Sequence, residues 1–147
     1  MWSIVEDLEY KRRLKEVLHI YNVSLKNNKG LETIKNFIKA VLDYYDYVIY
    51  YYLEKEKEKG NINEIPNTPI KRYELFLSII DDKLKDYFKY YKTLRVCLNS
   101  EIMIQNEFRR SMIIKCKGID REIILTIKDI KEIFESIKNF SEYIEKN

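Results

Sequence analysis

The stretch Leu31–Gly60, LETIKNFIKAVLDYYDYVIYYYLEKEKEKG, decides the fold. Leu31, Ile34, Ile38, Val41, Tyr45, Val48 and Tyr52 step by threes and fours. That is the a/d spacing of a long helix with one apolar seam. Its EKEKEKG tail reads as a solvated helix end. Gly60 suits the left-handed position just past the last turn, and Lys59 suits the negative end of the helix dipole.

Residues Gly60–Thr68 (GNINEIPNT) follow as a loop, after which Thr68 reads as a helix cap and Pro69 as the first helical position. Ile70, Tyr73, Leu77, Ile80, Leu84, Tyr87, Tyr91, Leu94 and Leu98 then keep the same spacing. Asp81-Asp82 lies off this seam, so the pattern predicts one unbroken helix. The result is two helices of about 29 residues, roughly 43 Å each at 1.5 Å per residue. A short loop between two such helices predicts an antiparallel hairpin.

Two further helices flank it. Ser3 and Glu6 form an S-x-x-E capping pattern, and Tyr10, Leu14, Val17, Leu18 and Tyr21 share a stripe that fades at Asn27-Asn28-Lys29-Gly30. Near the C-terminus, Thr126 with Asp129 marks a start for the stripe Ile130, Ile133, Ile137, Phe140 and Ile144. The expected class is mainly α: one domain, residues 1–147, an antiparallel helical bundle built on a long hairpin at about 31–59 and 69–98.

The segment 99–127 is ambiguous. Met112, Ile114 and Cys116 alternate with Ser111, Lys115 and Lys117, and Ile123, Leu125 and Ile127 repeat the period of two beyond Lys117-Gly118-Ile119-Asp120. That pattern reads as a small β-hairpin near 109–127. Against it, Ile113 and Ile124 spoil the alternation. Ile123, Ile130, Ile137 and Ile144 are spaced by seven, so Asp120 is also a cap for one long helix to the end.

Composition bounds the chemistry. The chain is 46% hydrophobic and 35% charged, which fits a folded globular chain. No apolar stretch approaches the roughly 20 residues of a membrane span; Asp43 and Asp46 interrupt the nearest, Val41–Leu53. The N-terminal MWSIVEDLEYKRR has acids before bases and no apolar core, unlike a secretory signal, so a cytoplasmic protein is expected. With 22 Ile, 20 Lys and 11 Asn against one Ala, the chain fits an AT-rich genome such as that of an archaeon or its virus. Cys97 and Cys116 lack the paired spacing of a zinc site and read as two small buried hydrophobes. No phosphate loop, dinucleotide fingerprint, HExxH or nucleophile motif is present, so no catalytic residue, metal or cofactor is assigned.

Two features carry the functional expectations. Six of the 13 tyrosines fall in Tyr44–Tyr52. At about 100° per residue, Tyr45 and Tyr52 lie on the seam, Tyr44, Tyr47 and Tyr51 form a shoulder, and Tyr50 points away. Neighbouring helices, a second copy or stacked bases are all able to cover that shoulder. Tyrosine suits an interface because its ring is apolar and its hydroxyl stays wet. The second feature is basic. Net charge is only +3, but Arg109, Arg110, Lys115, Lys117 and Arg121 cluster within thirteen residues. On a hairpin, Arg109, Lys115 and Lys117 share the face opposite Met112, Ile114 and Cys116, a ribbon able to follow phosphates.

Arg13-x5-His19 in the first helix is similar to the Arg-x4–6-His motif of HEPN domains, small up-and-down helical bundles of which many are ribonucleases. The resemblance implies a helical bundle. The family's motif lies towards the C-terminal half, where this chain offers Arg109 and Arg110 but no histidine, so the resemblance implies a member without ribonuclease activity. The reading that follows is a non-enzymatic helical interaction module. It binds a protein partner or self-associates through aromatic and apolar helix faces, with Tyr44, Tyr47, Tyr50 and Tyr51 as the interface. The alternative is nucleic-acid binding through the basic segment.

Overall fold

A computed structural model describes residues 2–147. Ser3–Glu6 forms a 3₁₀ turn, and α1 spans Leu8–His19. The capping pattern at Ser3 is therefore not used. Asp7 caps instead, its carboxylate accepting the Tyr10 N–H at 3.0 Å. After α1 the chain widens into a π-helical turn, Ile20–Ser24, and a last short piece, α2, Leu25–Asn27.

The long helix is as expected: α3 spans Leu31–Glu58. Its end is a Schellman motif, with the Asn61 N–H bonding Glu56 C=O at 2.9 Å and the Gly60 N–H bonding Lys57 C=O at 3.0 Å. Gly60 has φ +80°, which a residue with a Cβ adopts only under strain. Its burial exceeds a seam. Ile34, Phe37, Ile38, Val41, Leu42, Tyr44, Tyr45, Val48, Ile49 and Leu53 are all inaccessible, so α3 is the axle around which the rest packs.

The second arm departs from expectation. Thr68 caps α4, Pro69–Ile79, with Pro69 at its start, but the helix stops there. Ile80 is extended at ψ 160°. Asp81 then restarts the chain by accepting the Lys83 N–H at 3.3 Å. The pieces that follow are α5, Asp82–Lys85, a 3₁₀ turn, Asp86–Phe88, and α6, Tyr91–Leu98. The unbroken 69–98 helix is therefore corrected. An Asp that offers its own carboxylate to a nearby N–H competes with helix continuation. The break also changes phase, since Phe88 rather than Tyr87 is fully buried.

The sheet is larger than a hairpin. β1 (Glu101–Gln105), β2 (Ile113–Lys117) and β3 (Glu122–Thr126) form an antiparallel meander in that order. This excludes the long helix capped by Asp120. Met112, Ile114 and Cys116 are buried, as the alternation predicts. α7, Ile127–Lys146, opens with a reciprocal Thr126–Asp129 capping box and buries Ile130, Ile133, Ile137, Phe140 and Ile144.

The cysteines are also corrected. They are buried, but Cys97 on α6 and Cys116 on β2 are joined as a disulfide, their Cα atoms 4.9 Å apart. Sequence spacing alone does not reveal a pair that only the fold brings together. The bond ties the sheet to the bundle.

Candidate interaction surface

The tyrosine run is mostly covered by the chain itself. Tyr44 is fully buried, with its hydroxyl 3.0 Å from that of Tyr10 and the two rings 5.5 Å apart. Its place in an interface is corrected, since it offers no surface. Tyr45 donates to the Tyr87 carbonyl at 2.6 Å, and Tyr47 donates to Asp7 Oδ1 at 2.7 Å. The Tyr51 hydroxyl lies 3.1 Å from Ser3 Oγ. Tyr52 is half-buried rather than central to the core, and packs on Trp2 and Phe76 with ring centroids 5.3 Å away in both cases. Only Tyr50 is exposed, at 43%, with the Arg72 guanidinium 5.8 Å from its ring centre. The N-terminal segment, whose polar tips the helical wheel does not register, is what covers the shoulder.

These contacts have an electrostatic consequence. The Tyr47 hydroxyl and the Tyr10 N–H together hold the Asp7 carboxyl below its ordinary 3.8. Burial first, and Asp7 second, push Tyr47 up to about 12. A depressed carboxyl contributes stability above its unfolded pKa and loses it as pH falls through the folded value. Asp7→Asn keeps a good cap and removes only the charge. The variant is expected to be less stable than the parent at pH 7, with the gap closing below about pH 3. Urea midpoints at both pH values check this, and a gap unchanged by acid contradicts it.

The basic segment is dispersed by the fold. Arg109 and Arg110 lie in the exposed β1–β2 loop, and Arg121 lies in the β2–β3 turn at the opposite end of the strands. Lys115 and Lys117 do share the outer face of β2. Lys117, however, is flanked by Glu101 on β1 and Glu122 on β3. Cross-strand acids offset that cation. Arg121 instead joins Lys92, Arg95, Asn99 and Ser100, which the sequence reading missed, around an open groove of about 500 Å³. Arg95 is largely committed inward, bonded to Asp46 and to the Tyr91 hydroxyl. Burial and the Asp46 carboxylate hold Tyr91 well above the ordinary tyrosine range.

Arg13 and His19 lie on the α1 side facing α3. His19 borders an open polar cleft with Arg12, Glu16, Asn36, Lys39 and Asp43. Arg13 Nε is 3.2 Å from Glu9 Oε1 but too poorly aligned for a hydrogen bond, and its guanidinium lies 5.2 Å from the Tyr47 ring centre. His19, Glu16 and Asp43 are all exposed. Among the described residues, no group of histidine, cysteine and carboxylate side chains is placed to hold a metal ion, and no helix is long and apolar enough to cross a membrane.

Exposed apolar side chains are spread singly over the helical part, at Leu8, Val23, Tyr50, Ile79 and Leu98, and lie side by side on the sheet. Its outer face carries Met103, 47% exposed, and Ile124, 54% exposed, on either side of Lys115, with half-buried Ile113 beside them. Phe108 and Ile119, 64% and 102% exposed, stand in the two turns. The β1–β2 loop is anchored where Glu107 accepts the Leu31 N–H at 3.1 Å, at the start of α3. A Cβ at Gly30 would come within 3.1 Å of that carboxylate and 3.2 Å of the Phe108 ring. Compared with known protein families, curated proteins and solved structures, the chain matches none.

Proposed function

We propose that this chain is a non-catalytic helical module that works by protein contact, self-associating through its sheet side rather than through the tyrosine run. One observation carries the reading. Met103 and Ile124, both exposed, flank Lys115 on one face of the small sheet with half-buried Ile113 beside them, while five of the six run tyrosines are buried or half-buried. Scattered exposed apolar residues are normal in a monomer, whereas grouped ones mark contact sites. The nucleic-acid reading has less support, because the cations lie at opposite ends of the strands and Lys117 sits between two acids.

Light-scattering mass tests the location. Met103→Lys is expected to abolish association and Tyr50→Lys to leave it intact. Both side chains are exposed, so neither change disturbs the core. The opposite pattern places the contact on α3 and overturns the reading.

A further inference from the structure

Resting on that reading, we infer that the partner is a second copy added at the free edge of β1, giving a continuous six-stranded antiparallel sheet across a two-fold axis. The strand order makes β1 and β3 the two edges. The edges are not equivalent. On the inner face, Ile114 and Cys116 of the central strand are buried and β3 keeps one buried residue, Leu125, beside half-buried Ile123, whereas both inner residues of β1, Ile102 and Ile104, are only half-buried. No residue of β1 is buried. Cover thins towards this edge, as in a sheet that lacks a neighbour.

β1 carries few of the devices that keep edges apart, its one charge being the outward Glu101 at its end. Its sequence, Glu101-Ile102-Met103-Ile104-Gln105, contains no proline, no lysine, no bulge and no inward charge. Such a strand presents a row of unpaired N–H and C=O groups ready to bond an extended chain.

The side chains select both a second copy and its register. A two-fold axis through a sheet maps outer face onto outer face, so residues opposite each other must both be odd-numbered or both even-numbered here. Of the registers this leaves, the one centred on Met103 pairs all five residues. It sets Met103 against Met103, Ile102 against Ile104 and Glu101 against Gln105 of the other copy. The inner apolar row then runs on without interruption, from Leu125, Ile114 and Ile104 to Ile102, Cys116 and Ile123 of the other copy. No like charges oppose each other along the new seam.

A charge cycle tests the pairing. Gln105→Glu creates two Glu–Glu oppositions across the axis, and Glu101→Gln added to it restores a Gln–Glu pairing. Both positions are exposed, and Gln105 faces Ile113 within its own chain, so the monomer tolerates the change. Sedimentation of the three proteins is expected to show dimerisation weakened about fivefold to tenfold in the single variant, and recovered in the double one. A parent that dimerises as tightly as Gln105→Glu overturns edge pairing while leaving self-association standing. A parent that stays monomeric at high micromolar concentration overturns both.

Discussion

Phe88→Ala is expected to cost about 3–5 kcal/mol, the usual range for emptying a fully buried phenylalanine site. Tyr87→Ala, one residue earlier, is expected to cost only about 1–2 kcal/mol, because that side chain is half-buried. Phe88 is inaccessible, with ring centroids 5.0 Å from Tyr45, 4.9 Å from Phe76 and 5.0 Å from Phe140. It therefore joins α3, α4 and α7 at one point. The Tyr87 ring pairs with aromatic rings of α7, Phe140 and Tyr143, at 5.6 and 6.2 Å, and its link to α3 runs through its backbone carbonyl, which truncation to alanine keeps. A continuous helix from 69 to 98 reverses the ranking, since it puts Tyr87 on the seam. Urea midpoints of the two variants thus read the break at Ile80-Asp81 directly. A larger loss for Tyr87→Ala contradicts it.

Removing the Cys97–Cys116 bond is expected to cost about 3 kcal/mol by the loop-closure relation, for a sequence separation of 19. The bond closes the path from α6 through β1 to β2, so its loss frees the strand on which the proposed dimer depends. Parent protein unfolded with and without a strong reductant checks this beside Cys97→Ala/Cys116→Ala. The reduced parent is expected to match the double variant, which itself ignores reductant. Two free thiols in the unreduced parent contradict the bond. Disulfides of this kind persist in oxidising compartments and inside some hyperthermophiles. A bond of this kind thus bears on the cytoplasmic expectation drawn from the N-terminal sequence.

Much of the helical frame was legible because it rests on local chemistry. The α3 seam, the Thr68-Pro69 start, the Gly60 stop and the Thr126–Asp129 box each involve residues within a turn of one another, and all four are in place. What failed required long-range knowledge. The spacing from Ile70 to Leu98 recorded which side chains are buried, not whether the backbone between them is helical. Ile80, Leu84, Tyr91 and Leu94 are buried on both sides of the break. β1 was missed because Glu101–Gln105 has too little sequence to declare itself before its partner at 113–117 is known. The sequence left open what covers the tyrosine shoulder, one of the options being a neighbouring helix, because the covers, Ser3, Asp7 and Tyr10, are more than thirty residues away. The candidate surface was half legible. The alternation around Ile114 gave the inner face, but the Glu101–Lys117–Glu122 row that offsets the basic segment needed the register.

The central claim, that the sheet side is where this module meets a second copy, is tested most directly by the mass of the parent protein across a concentration series. Light scattering is expected to show a rise from one chain of 18.0 kDa towards two, with no further growth, because an isologous edge pairing closes on itself. A mass fixed at one chain up to high micromolar concentration contradicts self-association, and a mass that keeps climbing contradicts the closed two-fold arrangement.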